Sequence, residues 1–344
     1  MSATADHVSG ELMAAEIAEQ PHVLAGLLAR PEETINAGAL IAAAKPRFAV
    51  IAARGTSDHA ALYAKYLAEV RMQLPVGLLS PSALTVYGAA PDMTDVLFVA
   101  VSQSGRSPDL VESLTVARER GALSVAVTNA PDSPLAHAAE IAVDVRAGTE
   151  RAVAATKTYT AELLALHLLF AGEHAARDAA PLPQAAARTL ALTSDERLAQ
   201  LAALFRGTER VVLTARGYSY ATAREAALKL METSYLSAHA FSGADLLHGP
   251  LALIDRSVPV IAITSPGKGG DAMQPVLERL AELDALVLRV GVEDGLPIAS
   301  DGIGEHLLPI LEIMPLQRLA WRLALDRGVD PDRPRGLSKV THTH

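Results

Sequence analysis

Residues 102–107, Ser-Gln-Ser-Gly-Arg-Ser, have the side chains and the chain context of an anion-binding loop. They follow an apolar run, 97–101, typical of a buried parallel strand, and precede apolar residues at helical spacing. In such a loop, backbone N–H groups point outward, the helix dipole favours negative charge, and serine hydroxyls reach phosphate oxygens. Arg106 would add a cation. The same residue types also form ordinary turns and helix caps, so both interpretations stay open for the loop alone.

A second group of candidates lies on a predicted helix, 224–235. Glu225, Lys229 and Glu232 are spaced i, i+4 and i+7 and therefore share one face of that helix. On an exposed helix these residues would form solvated ion pairs. The residues between them are mostly apolar, however, and charges on a packed helix are often functional or ion-paired.

Two further candidates lie nearer the C-terminus. His248 precedes a Gly-Pro pair, which excludes it from the middle of a helix and predicts a turn. A lone histidine is more often structural than catalytic, but the polar loop and the Gly-Pro corner around it favour a functional role. Residues 331–344, which include Lys339, have the composition of a flexible tail. His342 and His344 lie in this tail, and no third metal ligand is evident beside them.

Composition limits the kind of protein to be expected. The chain has 344 residues, half of them hydrophobic, which suggests two domains. Its net charge is −9 and no block of Lys or Arg stands out, which argues against nucleic acid and anionic membrane surfaces as partners. With no cysteine, the chain has no disulfide, thiolate metal site or cysteine nucleophile. No signal peptide or membrane span is apparent, so we expect a cytoplasmic protein.

Alternating strands and helices must position these groups. Parallel sheets with helices on both faces bind ligands beyond the carboxyl ends of their strands, where the polar loops of this chain fall. We predict a helical segment over 1–30, punctuated by Pro21, a first domain over 31–175 and a linker with the start of another helix over 172–195. A second domain over 195–330 and the tail 331–344 follow. The strands predicted for the first domain are 47–53, 75–79, 97–101, 123–128 and 141–145.

An internal duplication is indicated by a constant offset. Arg54-Gly55 and Arg216-Gly217 are 162 residues apart, and the same offset relates 99–109 to 261–271. We therefore predict two α/β domains of similar topology. The second loop has lost most of its hydroxyls, and Pro266 lacks an N–H where Ser104 has one. If one copy binds phosphate, we expect it to be the first.

Taken in order, these stretches resemble the sugar isomerase (SIS) domain family from about residue 13 to 344. Their spacing is similar to the isomerase half of glucosamine-6-phosphate synthase, and closer to stand-alone double-SIS glucosamine-6-phosphate deaminases. The resemblance implies two flavodoxin-like three-layer domains with parallel sheets, in a homodimer with shared active sites. The matching stretches are Arg54–Ser57, Ser102–Asp109, Ala152–Lys157, Glu225–Glu232, His248–Leu251 and the tail with Lys339.

The resemblance also implies a hexosamine 6-phosphate substrate, neither metal nor organic cofactor, and a role for each site residue. Glu232 would be the proton-transfer base, His248 the ring-opening histidine lent by the neighbouring subunit, and Lys339 the lysine at the sugar's carbonyl end. The phosphate would be held by Ser102, Gln103, Ser104 and Ser107, with the rest of the binding site formed by Thr56, Ser57, Val153, Ala154, Glu225 and Lys229.

The expected reaction is conversion of glucosamine 6-phosphate into fructose 6-phosphate and ammonia. The synthase releases ammonia from glutamine with a cysteine, which these residues lack, so we expect release of the amine rather than its transfer. Action on another amino-sugar or glycated-amine 6-phosphate, or ketose isomerisation without deamination, stays open. A non-catalytic sugar-phosphate sensor is the alternative from a different class.

Overall fold

Two α/β units, each built on a parallel sheet, make up the computed structural model, which describes residues 9–172 and 174–339. The first sheet has the strand order β2-β1-β3-β4-β5, and the second has the order β7-β6-β8-β9. The strands are β1 (Phe48–Ala52), β2 (Val76–Leu78), β3 (Val96–Ser102), β4 (Leu123–Thr128), β5 (Ile141–Asp144), β6 (Arg210–Ala215), β7 (Ser237–Ser242), β8 (Val260–Ile263) and β9 (Val287–Val290).

Helices cover both faces of the two sheets. Fifteen α-helices occur in the described ranges, together with a π-helical turn at Ala68–Met72 and 3₁₀ turns at Pro250–Leu253 and Glu305–Leu307. The helices are α1 (Glu11–Leu28), α2 (Glu32–Ala44), α3 (Thr56–Leu67), α4 (Pro81–Thr85), α5 (Pro108–Glu119), α6 (Pro134–Ala138), α7 (Lys157–Phe170), α8 (Ala175–Ala179), α9 (Leu182–Leu192), α10 (Asp195–Ala203), α11 (Ser219–Ser234), α12 (Gly243–Leu247), α13 (Lys268–Asp271), α14 (Gln274–Glu282) and α15 (Leu308–Asp326).

The central strand β3 shows why the first unit forms three layers. Its side chains alternate between the two faces of the sheet. Val99 and Val101 enter a core that includes α3 and α7, whereas Phe98 and Ala100 pack with α5 in a separate cluster. Both faces of β3 are therefore buried, as the continuous apolar run predicts.

The larger core runs without interruption from the first unit into the second. It includes Val99 and Val101 of the first sheet, Leu213 and Ile261 of the second, and residues of α1, α9 and α15. The outer face of the second sheet packs separately against α12 and α14. The two units therefore share their inner helices, and α3 and α11 lie against each other between the sheets.

The predicted fold class is confirmed: both sheets are parallel and follow the order expected of flavodoxin-like domains. The second sheet has four strands, and the described residues 291–304 add a single bridge, Val290 to Leu296, where the first sheet has its fifth strand. The topology is therefore similar in the two units but is not identical.

Two expectations that were based on prolines were wrong. Much of the predicted linker, 172–195, forms α8, α9 and the start of α10, because Pro181 and Pro183 stand at the start of α9, where proline is tolerated. Pro21 does not interrupt α1. The side-chain amide of Gln20 donates to the Ile17 carbonyl at 3.0 Å, which supplies the hydrogen bond that Pro21 cannot make.

Much of the C-terminal segment is packed rather than free. Asp332 is 3% exposed, and its carboxylate accepts hydrogen bonds from the backbone N–H groups of Leu12 and Met13 at 2.9 and 2.8 Å. It thus caps α1 from the far end of the chain. His342 and His344 lie outside the described residues. Within the described ranges, no helix combines the length and apolar character needed to cross a membrane.

Candidate active site

A cavity of about 290 Å³ opens at the carboxyl ends of β1 and β3. Its walls come from the loops after these two strands, from the chain before α7, from α11 and from the C-terminal segment. Because α11 belongs to the second unit, the cavity lies where the two units meet. The lining residues are Arg54, Gly55, Thr56, Ser57, Val101, Ser102, Gln103, Ser104, Ser107, Leu110, Val153, Ala155, Glu232, Leu337, Ser338 and Lys339.

The loop 102–107 is folded so that its hydroxyl hydrogens stay available. Oγ of Ser102 accepts the N–H of Gly105 at 3.2 Å, and Oγ of Ser104 accepts the N–H of Arg106 at 3.3 Å. Ser107 precedes α5 without a side-chain cap bond. Each hydroxyl can therefore donate to an anion at the N-terminus of α5.

Gly105 makes this loop possible. Its φ is +59°, a region that favours glycine, and an added Cβ would lie 2.0 Å from Oγ of Ser133. The cation at the loop is not the one considered from the sequence, since Arg106 is exposed and does not line the cavity. Arg54 does, with Nε 2.9 Å from the carboxylate of the buried Asp109. Asp109 thereby fixes a positive charge near the anion loop.

A buried charge cluster lies beneath the cavity, which its members Thr56 and Glu232 line. Lys229 and Glu225 of α11 have fully buried side chains, and Nζ of Lys229 lies 3.3 Å from Oε1 of Glu225. Nζ also donates to Oε2 of Glu232 at 2.6 Å and to Oγ1 of Thr56 at 3.1 Å. Glu225 is further bonded to Thr56 at 3.1 Å and to Nδ1 of His59 at 2.7 Å. These contacts join α11 of the second unit to α3 of the first.

Charge balance within the cluster keeps Lys229 protonated. Burial alone would lower the pKa of Lys229, but the carboxylates of Glu225 and Glu232 outweigh burial and raise this pKa above its usual range. The side chain of Glu232 is 21% exposed and lines the cavity, whereas that of Glu225 is fully buried. Glu232 is therefore the carboxylate of this cluster that can reach a ligand.

Lys339 approaches the cavity from the C-terminal segment. Its Nζ donates to the Ala152 carbonyl at 2.6 Å and to Oε2 of Glu150 at 3.2 Å. Glu150 also accepts from Nε2 of Gln103 at 2.7 Å and from the N–H of Thr156 at 2.8 Å. Burial would raise the pKa of Glu150, but the charge of Lys339 and the backbone N–H groups of Thr156 and Thr158 hold this pKa below its usual range. An ionised Glu150 thus ties the tail lysine to the anion loop.

A second buried carboxyl group stands behind Ser57. Oε1 of Glu162 lies 2.8 Å from Oγ of Ser57, and Oε2 of Glu162 is buried with no hydrogen-bond partner among the described residues. Burial raises the pKa of Glu162 to about 8, with the Ser57 contact lowering it and the carboxylates of Glu150 and Glu225 raising it. Glu162 is therefore mainly neutral at pH 7.

In the second unit, the stretch that corresponds to the loop 102–107 is bound by a carboxylate of the protein itself. The carboxylate of Glu305 accepts the backbone N–H groups of Lys268 and Gly269 at 3.0 and 2.7 Å. These are N–H groups of the stretch related to the first loop by the 162-residue offset. An internal carboxylate thus occupies donors that an external anion would need.

A family model for the SIS domain matches the sequence twice, over residues 42–172 and 204–301. The chain belongs to the SIS domain family. Among curated relatives of this SIS chain, the isomerizing glutamine–fructose-6-phosphate aminotransferase of Gloeobacter violaceus is 36% identical over 311 residues. The match covers 84% of this chain and 51% of the relative. The chain spans about half the length of the curated relatives it matches.

Two solved structures show the same architecture as this SIS chain. A protein of Silicibacter pomeroyi, described provisionally as a phosphosugar isomerase, superposes with a TM-score of 0.85 at 31% identity, over 94% of this chain and 100% of that chain. The C-terminal domain of glucosamine-fructose-6-phosphate aminotransferase from Francisella tularensis superposes with a TM-score of 0.83 at 28% identity, over 97% and 100% of the two chains.

Nine of the thirteen site residues predicted for the SIS chain line one cavity, drawn from both units and the tail. Glu225 and Lys229 lie beneath it in the buried cluster, and Ala154 is buried beside Val153. His248 is exposed at the end of α12 and does not line the cavity within this chain. Its expected role required a neighbouring subunit, so that role stays a prediction.

Several residues around the cavity were not singled out from the sequence: Arg54, His59, Glu150 and Glu162. His59 and Glu150 fall in stretches that carry the SIS resemblance or adjoin it, but their spacing gives no sign of their partners. Glu162 lies in a long helix whose other residues are mostly apolar. A lone acidic residue in such a helix is the sequence signal that would have marked it, and the structure shows this side chain to be buried.

Proposed function

We propose that this protein is a sugar-phosphate isomerase that acts on a 2-amino-hexose 6-phosphate and releases the amine. The expected substrate is glucosamine 6-phosphate, and the products are fructose 6-phosphate and ammonia. The observation that carries the proposal is that Glu232, the serine-rich loop and Lys339 line one cavity. The names of the curated relatives and solved structures support chemistry on a phosphorylated sugar.

The phosphate would be bound by the loop 102–107 and the N-terminus of α5. Free hydroxyl hydrogens on Ser102, Ser104 and Ser107 and the cation of Arg54 suit a dianion there. Occupation of the second loop by Glu305 supports assigning phosphate binding to the first unit. Anchoring the phosphate would fix the sugar's C1 and C2 relative to Glu232, which lines the same cavity.

Proton transfer is assigned to Glu232. In the open-chain aldehyde, its carboxylate takes the hydrogen from C2, and O1 gains a proton to give an enolamine. Glu232 then returns a proton to C1 while the nitrogen loses one, which gives an imine at C2. Water adds to that imine and ammonia leaves, so the sugar becomes the 2-ketose. Lys229, 2.6 Å from Glu232, would stabilise the carboxylate form that accepts the proton.

Two further residues, His248 and Lys339, complete the proposed site. We propose that His248 of a second copy of the chain assists pyranose opening, so that the active protein is a homodimer. Lys339 would approach the carbonyl end of the sugar and stabilise a developing oxyanion.

The test is incubation of the purified protein with glucosamine 6-phosphate, with ammonia and fructose 6-phosphate measured in parallel. We expect both products in equal amounts. A panel containing galactosamine 6-phosphate, a glycated-amine 6-phosphate and glucose 6-phosphate identifies the substrate among the alternatives. Binding of these phosphates without turnover of any of them would overturn the enzymatic proposal and favour a sensor.

The residue assignment is tested with Glu232→Gln. We expect this variant to bind the sugar phosphate but to lose exchange of the C2 hydrogen with solvent, since an amide does not accept that proton. Glu278→Gln, on the exposed face of α14, is the matched control and should retain full activity. Retained exchange in Glu232→Gln would assign the base to another residue.

A further inference from the structure

The contact between Ser57 and Glu162 determines whether the Ser57 hydroxyl can donate a hydrogen bond to an anion in the cavity. Ser57 lines the cavity and its hydroxyl has one hydrogen to donate. If Glu162 is ionised, that hydrogen must go to Glu162, and Ser57 presents only lone pairs to a bound anion. If Glu162 is neutral and donates to Ser57, the Ser57 hydrogen is free.

The unpartnered oxygen of Glu162 decides where the carboxyl hydrogen sits. A hydrogen on Oε2 would be a buried donor without an acceptor, since Oε2 has no partner in residues 9–172 and 174–339. Buried donors are more rarely left unpaired than buried acceptors. The hydrogen therefore belongs on Oε1, 2.8 Å from Oγ of Ser57.

Resting on the proposed function, we propose that Glu162 is a positioning residue for phosphate binding: it donates a hydrogen bond to Oγ of Ser57 and so leaves the Ser57 hydrogen free to add to the donors of the loop 102–107, which line the same cavity. Ionisation of Glu162 would reverse this bond and place a negative charge behind the site. Affinity for a phosphate ester should therefore fall as the pH rises through the range in which Glu162 titrates.

The second unit contains a corresponding serine–glutamate pair in which both carboxyl oxygens have hydrogen-bond partners. Ser219, 162 residues after Ser57, bonds Glu312 of α15 at 2.8 Å. Thr222 bonds the other oxygen of Glu312 at 3.0 Å, so that carboxyl group has a partner on each side. The residue 162 positions before Thr222 is Ala60, which has no hydroxyl to offer. The missing partner is thus specific to the copy that carries the cavity.

The groups facing Glu162 favour its neutral form. Glu150 approaches from the chain before α7 and Glu225 from α11, and both raise its pKa, while Ser57 of α3 lowers it. Tyr159 of its own helix is also buried. Lys229 and His59 are bonded to Glu225. Because Glu162 is buried and no cation in the described part of the chain pairs with it, its pKa is raised to about 8.

The experiment measures binding of a hexitol 6-phosphate, which has no carbonyl group and cannot be isomerised. Calorimetry covers about pH 7 to about pH 9.5, where the phosphate stays dianionic. We expect wild-type affinity to fall about tenfold or more across this range, the size of one hydrogen bond to a charged group. Glu312→Gln, the matched control, should follow the wild type.

Two variants of Glu162 distinguish a role in positioning Ser57 from a role in packing alone. In Glu162→Gln the amide still donates to Ser57 but does not titrate, so affinity should be independent of pH. Glu162→Ala should also be independent of pH but bind more weakly than Glu162→Gln at pH 7. Thermal unfolding with and without ligand checks that each variant is folded.

The outcomes are distinguishable from failure of the proposed reaction. Equal pH dependence in Glu162→Gln and wild type would overturn the role of Glu162 while leaving catalysis intact. If wild-type affinity did not change with pH, the proposed role of Glu162 would be overturned even if the variants failed to fold. Absence of turnover with normal, pH-dependent binding would refute the amine-releasing reaction but not the role of Glu162. Failure of the wild type to bind at all would overturn both.

Discussion

Replacing Lys229 with methionine tests the buried charge cluster between the two units. Methionine has a similar length and fills the space with an apolar chain. The change removes contacts from Nζ to Glu225, Glu232 and Thr56 at 3.3, 2.6 and 3.1 Å. It leaves the carboxylate of Glu225 fully buried without its cation.

The expected loss of stability follows from that burial. Removing one partner of a buried ion pair costs about 3–5 kcal/mol, because the remaining charge is uncompensated. The contact from Nδ1 of His59 to Oε2 of Glu225, at 2.7 Å, remains in the variant, so we expect the lower end of that range, about 3 kcal/mol. The exposed pair Arg256–Asp284, with side chains 80% and 66% exposed, should contribute less than about 1 kcal/mol.

Urea denaturation followed by circular dichroism, at one fixed protein concentration, gives the free energies of unfolding. Arg256→Met is the matched control for loss of a cation from an ion pair. Adding Glu225→Gln to Lys229→Met should recover part of the loss, because the buried charge is then gone. A loss for Lys229→Met no larger than that of the control would refute the view that this cluster joins the units.

Three further predictions follow from the described contacts. Gly105→Ala should abolish binding of a sugar phosphate without unfolding the protein, since its Cβ would clash with Ser133; calorimetry and circular dichroism check both parts. Asp332→Ala should lower the free energy of unfolding by about 1–2 kcal/mol through loss of the α1 cap. The raised pKa of Glu162 means that the folded state holds a proton the unfolded state has lost. Stability should therefore fall by about 1.4 kcal/mol per pH unit between about pH 4.5 and about pH 8 from this group, and Glu162→Gln should remove that slope in urea titrations.

The strands and the position of the polar loop 102–107 could be predicted because their signals are local. Apolar runs such as 97–101 mark strands buried on both faces, and the polar residues after them mark the edge where ligands bind. The constant offset between the copies then predicts a second sheet. The same reasoning gave a wrong prediction for 172–195. The prolines there suggested a linker, but Pro181 and Pro183 stand at the start of a helix.

The contacts that complete the candidate site could not be predicted, because they join residues far apart in sequence. Glu162 lies 105 residues from Ser57, and Lys339 lies 189 residues from Glu150. Composition predicts a flexible tail, but the carboxylate of Asp332 and the amine of Lys339 find buried partners. No local pattern encodes such pairs.

Hydrogen exchange at C2 of glucosamine 6-phosphate in deuterated water is the most direct test of the central claim. Proton NMR should show the wild-type protein replacing the C2 hydrogen with deuterium as fructose 6-phosphate forms, and Glu232→Gln should bind the sugar phosphate without exchange. Release of ammonia with the C2 hydrogen retained, or exchange at the wild-type rate in Glu232→Gln, would contradict proton transfer by this carboxylate.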